Sequence, residues 1–175
     1  GFLAGQCLAQ NGHKHIGVVE WNGQVSSAVE RDLGFYDAVR EQMEQGGSME
    51  VESSGDLSIE EGYRLTKALL QRARPTALFF GYHRHAQGGV QYLSEAGYSI
   101  PEDISVIMVG TPAWANLSNP AIHRVYQHEE WVGTTAGRIL MAQIKGEVSP
   151  LLREKRHVCP CTLIKGTSVK DLTCT

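Results

Sequence analysis

No run of apolar residues in this sequence approaches the roughly 18 that a membrane-crossing helix needs, and the opening GFLAGQCLAQNG lacks the basic front of a secretion signal. These absences point away from membrane and export and toward the cytoplasm. Cysteine is scarce: Cys7, Cys159, Cys161 and Cys174 show no disulfide-framework spacing, which fits a reducing compartment. Basic charge is not in excess either. A formal net charge of −3 gives no field for gripping a phosphate backbone, and the one compact basic run, Arg153, Lys155 and Arg156, reads as a solvated turn. The signatures of phosphate-cradling loops, dinucleotide folds, nucleophile elbows and zinc peptidases are all missing. Neither an enzyme nor a cofactor is expected.

What is present is a core and a rhythm. With 42% hydrophobic and 20% charged residues the chain has the composition of a globular protein, and a chain of this size buries about 70% of its unfolded surface. Leu3, Cys7 and Leu8 share a helical face, and Asn11-Gly12 stops that helix. HIGVVE reads as a buried strand. Ser27 and Glu30 form a capping-box pattern ahead of a helix that ends at Gly46-Gly47. SMEVE is a weaker strand, and Ser58 with Glu61 opens a helix to about Arg72. TALFFG is a third strand, followed by a helix from about His85 to Ala96 and a fourth strand in PEDISVIMVG. Strands that are nearly continuous in apolar residues, alternating with helices, predict an α/β fold: a doubly wound parallel sheet sandwich. After a polar loop, TPAWANLSNP, come a short strand (AIHRVY), a helix over 129–145, and a last strand (HVCPCTLI) that Pro160 demotes to an edge or a bulge.

In such a sheet a ligand sits beyond the carboxyl ends of the strands. The informative loops are then Trp21 to Arg31, Gly55 to Ser58, Tyr82 to His85 and Gly110 to Trp114. Arg31, one turn into its helix, carries five fixed donors, and Ser26 and Ser27 add hydroxyls at a helix start. An N-cap role for Ser27 and a surface ion pair for Arg31 are the plain alternatives. His83 and His85, or His157, Cys159 and Cys161 on one strand face, have the elements of a metal set, but neither group has the spacing or the fourth ligand of a structural zinc site, so no metal is expected. Trp21, Trp114 and Trp131 suit either ligand stacking or packing.

Six segments, in order, carry a family resemblance. They are GHKHIGVVE, SAVERDLGFYDAV, PTALFFG, GYSIPEDISVIMVG, LSNPAIHRVYQHEEWVGTTAGRIL and LIKGTS. Together they resemble the effector-binding part of the LacI/GalR transcription regulators, which share the type I periplasmic-binding-protein fold. The resemblance implies a complete C-terminal effector-binding subdomain over 12–121. It also implies a partial N-terminal subdomain in 1–11 and 125–160, a C-terminal tail over 161–175, and a helix-turn-helix upstream. The chain then reads as a C-terminal piece that works as a homodimer, senses a small molecule, and meets operator DNA only through that upstream segment.

Carried over position by position, the resemblance places Ser27, Arg31, Leu57, Tyr82, His83, Gly110 and Trp114 at the ligand. Several depart from the family pattern: Leu57 stands where an aromatic is common, Tyr82-His83 where Asn-Asp is common, and Gly110 where an Asp is common. Carboxylate acceptors are thereby lost and donors remain, which suits a sugar derivative or an anionic metabolite better than a neutral sugar. A solute receptor for a transporter, a ligand-free dimerisation module and a histidine-dependent metalloenzyme are the competing classes. The helix over 129–145 is expected to have apolar surface without a sheet beneath it, and so to pack on a second copy or be poorly ordered. Light scattering that shows a compact monomer, with uniform amide protection over that helix, is the result that excludes this.

Overall fold

The computed structural model describes residues 1–147, 150–154 and 156–173; Lys155 and Cys174, named above, lie outside the described residues. The elements are α1 (Phe2–Gln10), β1 (His15–Trp21), α2 (Ser26–Glu44), β2 (Ser48–Ser54), α3 (Ile59–Arg72), β3 (Ala77–Phe80), α4 (His83–Glu95), β4 (Ser105–Val109), a 3-10 turn (Ala113–Asn116), β5 (His123–Tyr126), α5 (Glu129–Lys145), α6 (Pro150–Arg153) and β6 (Thr162–Ile164). They build one sheet in the order β2-β1-β3-β4-β5-β6. All pairings are parallel except β5 with β6. The doubly wound α/β expectation is met.

Burial on both faces explains the strand sequences. Every residue of β3 and β4 is buried, and side-chain alternation sends Leu78, Phe80, Val106 and Met108 to one face and Ala77, Phe79, Ile107 and Val109 to the other. On the first face, Leu65, Leu69 and Leu70 of α3 with Ala86 and Leu93 of α4 close the core. On the second, Phe35 of α2 stacks on Phe79 at 4.0 Å between ring centroids. β2, at the edge, is mostly exposed and correspondingly polar.

The second face also holds α1. Its Ala4, Cys7 and Leu8 are buried beside Ile16, Phe79 and Val125, so the boundary expected between residues 11 and 12 has no counterpart in the packing. The spacing of these residues reveals a buried face but not what covers it. The expected tail over 161–175 is likewise stitched into the sheet. Ser168 Oγ accepts from the His123 amide at 2.8 Å and donates to Val106 O, and the Val106 amide donates to Ser168 O.

Two further expectations change. α2 starts at Ser26 with Val25 as N-cap and without a side-chain cap, so the capping box read in Ser27 and Glu30 does not form. Ser58 does cap, accepting from the Glu61 amide. The last strand covers only Thr162–Ile164, because Pro160 interrupts the ladder; His157, Cys159 and Cys161 therefore share no strand face. α5 forms as a regular helix with Ala142 as its buried residue, while Trp131, Val132, Leu140, Met141 and Ile144 are exposed.

Close approach of α3 to α4 brings His85 against the loop that follows β2. A Cβ on Gly62 would lie 2.4 Å from the His85 backbone, and one on Gly88 would lie 1.9 Å from Ile59 O. Backbone atoms cannot yield as a flexible side chain does. Gly88→Ala is therefore expected to lose at least about 1–3 kcal/mol of stability, read as a lower urea midpoint with the slope unchanged.

Candidate functional site

Chain order sets the place of the crevice. From β1 the chain passes outward to β2 and then returns past β1 to β3, so connections leave in opposite directions between β1 and β3 and their carboxyl ends part there. Arg31 spans this point. Its Nη1 donates to Gly81 O at 2.9 Å, and its guanidinium carbon lies 4.3 Å from the centre of the Tyr82 ring. Among the described residues no ion pair involves Arg31, so the surface ion pair considered above is not what holds it. Carbonyl and ring together orient a cation whose remaining donors stay available.

The loops around Arg31 are cross-linked. Trp21 Nε1 donates to Gly55 O at 3.0 Å, its ring meets Tyr82 edge-on at 5.6 Å, and the Asn22 amide donates to Ser54 O. His85 is fully buried and its Nε2–H donates to Asp56 O at 2.7 Å. The geometry makes Trp21 and His85 braces for the rim. His85 is thus a packing residue, and Tyr82 is held between Trp21 and Arg31.

Two cavities share this wall. One, of about 280 Å³, is lined by Arg31, Gly81, Tyr82, His83, Val109, Gly110, Thr111, Pro112, Gln127 and Glu129. The other, of about 400 Å³, is lined by Ser26, Ser27, Glu30 and Arg31 with Gln127 and the 156–161 segment. Five expected site residues, Ser27, Arg31, Tyr82, His83 and Gly110, therefore surround one crevice. Leu57 and Trp114 line neither cavity. Trp114 packs on the core face shared with Ala115 and Ile122. Gln127 and Glu129 were missed, although the rule that points to strand ends applies equally to β5.

The charges here are unevenly matched. Glu30 is paired with Arg156 at 2.6 Å, and Tyr36 donates to Glu20 Oε2 at 2.5 Å. Asp32 is not so served: its buried Oδ1 has no hydrogen-bond partner among the described residues. Burial, helped by the nearby Glu20 charge, lifts its carboxyl from 3.8 to about 6. A carboxyl raised in the folded state adds stability below its unfolded value and loses it as pH climbs through the folded value. Stability should accordingly fall between pH 3.8 and about 6. Asp32→Asn should flatten that part of the profile and raise the urea midpoint at neutral pH; an unchanged profile would show that Asp32 ionises without cost.

Comparison with known proteins follows the same lines. The model of the periplasmic binding protein-like domain matches residues 6–169. The transcriptional repressor PurR of Pectobacterium carotovorum is 33% identical over 174 residues, which is 98% of this chain and 49% of the repressor. The chain thus spans about half the length of the curated relatives it matches. A LacI-family regulator from Enterococcus faecium, solved with bound ribose, superposes with a TM-score of 0.80 at 26% identity, covering 98% of this chain and 62% of that one. The regulator CelR in complex with cellobiose gives 0.82 at 25% identity over 94% of this chain and 50% of its own. The named relatives are regulators and not enzymes. With the family model matched over nearly its whole length, the chain belongs to the periplasmic binding protein-like domain family, in the form that LacI-family transcription regulators carry as their effector-binding domain.

Proposed function

We propose that this chain is the effector-sensing domain of a DNA-binding transcription regulator and that a small molecule binds in the crevice around Arg31. The observation that carries this reading is Arg31 itself: a cation without an ion-pair partner among the described residues, oriented by Gly81 O and Tyr82, and common to both cavities at the switch point of the sheet. Ser27, Tyr82, His83 and Gly110 complete the contact set, and Gln127 joins them from β5. The ribose and cellobiose held by two relatives support a ligand of sugar-like size. The net charge of −3 argues that operator DNA is met by another part of the whole regulator.

A cytoplasmic homodimer is the proposed working form. Among the described residues no helix is long and apolar enough to cross a membrane. The segment over 125–160 is assigned to a second subdomain, which the exposed Trp131, Val132, Leu140, Met141 and Ile144 of α5 support. Ligand and operator are coupled in this reading: the effector shifts the regulator between two states only by its difference in affinity for them.

Thermal-shift screening with ribose, cellobiose, sugar acids and inorganic phosphate tests the site. Ligand at about a hundred times its dissociation constant stabilises by about 2.7 kcal/mol. Arg31→Ala is expected to weaken whichever compound binds by at least about tenfold, as loss of a charged hydrogen bond requires. An unchanged dissociation constant removes Arg31 from the site.

A further inference from the structure

The wall of the crevice at the end of β4 is backbone. Gly110 has φ of +109°, a conformation that side chains rarely adopt, and a Cβ built there would lie 3.0 Å from His83 Nδ1 and 3.3 Å from His83 Cβ. The imidazole of His83 thus fills the space that a side chain at position 110 would need. Position 110 itself can therefore offer no side-chain acceptor, and the group that stands in its place belongs to α4.

His83 is suited to supply it. It opens α4, lines the smaller cavity, and its ring makes no hydrogen bond among the described residues. The charged groups facing the ring are Arg84 on its own helix and Glu129 on α5, with Arg31 on the same cavity wall. Partial burial, and then Arg84, disfavour its protonated form. A neutral imidazole keeps one acceptor nitrogen and one N–H. Arg31 uses Nη1 on Gly81 O, and its other donors suit an oxyanion. Glu30 does not neutralise it, being held by Arg156.

These two groups ask for different things of one ligand. We propose that His83, seated over Gly110, sets the effector class by accepting a hydrogen bond from a ligand hydroxyl while Arg31 takes a ligand carboxylate, so that the effector is a sugar acid. The proposal rests on the crevice being the effector site. A neutral sugar would leave the guanidinium without a counter-charge, and a simple carboxylate would leave the imidazole acceptor unused.

The test is isothermal titration with three probes, D-glucuronate, D-glucose and acetate, on the protein and on Arg31→Ala, His83→Ala, His83→Gln and Gly110→Ala, with circular dichroism melts on each. Glucuronate is expected to bind at least about tenfold more tightly than glucose or acetate. His83→Ala should weaken glucuronate by about tenfold, and His83→Gln, which restores an acceptor, by about threefold or less. Gly110→Ala should imitate His83→Ala by displacing the ring, and the two changes together should cost no more than either alone. The proposal is overturned if glucuronate is not preferred, or if His83→Ala leaves its affinity unchanged. Should glucose bind as tightly as glucuronate and still be lost in Arg31→Ala, the effector site stands and the role of His83 falls. Indifference of all three probes to Arg31→Ala brings down both.

Discussion

Parallel pairing of β1 with β3 and of β3 with β4 obliges the centre of this sheet to be covered on both faces, and the rest of the molecule follows from that requirement. Parallel strands need crossovers, the crossovers here are helices, and helices on both faces can be laid down only if the chain winds outward to β2 and then back to β3. The reversal opens a crevice where the ends of β1 and β3 diverge. Apolar strands thus determine, at one remove, where the polar residues meet. The stacked pair of Phe35 and Phe79 shows the link directly. The same α2 that is fixed to the sheet by Phe35 carries Arg31, one turn earlier, to the crevice.

Within the crevice, preorganisation comes from groups that do not face a ligand. Trp21 and His85 each donate to a carbonyl of the loop after β2, and Tyr82 is wedged between the Trp21 edge and the Arg31 guanidinium. A long cation usually loses conformational entropy when it binds. Arg31 has lost part of it already. Asp32 shows the opposite balance, for it is buried beside Glu20 without a hydrogen bond to Oδ1, and its ionisation, delayed to about 6, costs stability at neutral pH.

Much of this was legible in the sequence, for identifiable reasons. Runs such as TALFFG have no alternation to misread, so strand positions and the doubly wound class follow from burial on both faces. The rule that ligands sit at strand ends then points to the loops that carry Arg31, Tyr82, His83 and Gly110, four residues that line one cavity. That rule locates a residue along the chain and is silent about where its side chain turns. Trp114 sits at the end of β4 as expected and packs on the core instead. Leu57 lies in the expected loop, outside both cavities. Partner identity was also hidden: the face made by Ala4, Cys7 and Leu8 is visible in sequence, but its contact with Phe79 and Val125 is a long-range fact. So is the return of Ser168 to β4 and β5.

Gly110 and His83 show how two departures from a pattern can be one change. Taken singly, a glycine at a strand end is lost chemistry and a histidine at a helix start is a polar surface residue. Space joins them, because the positive φ of Gly110 and the 3.0 Å gap to His83 Nδ1 leave room for only one side chain. A wall that cannot offer a carboxylate from β4 offers an imidazole from α4, and the two differ in what they accept. An ionised carboxylate is acceptor only and brings a charge that opposes an anionic ligand, whereas a neutral imidazole accepts once, donates once and adds no charge. With the Arg31 guanidinium lining the same cavity, that exchange suits a ligand that brings a carboxylate of its own.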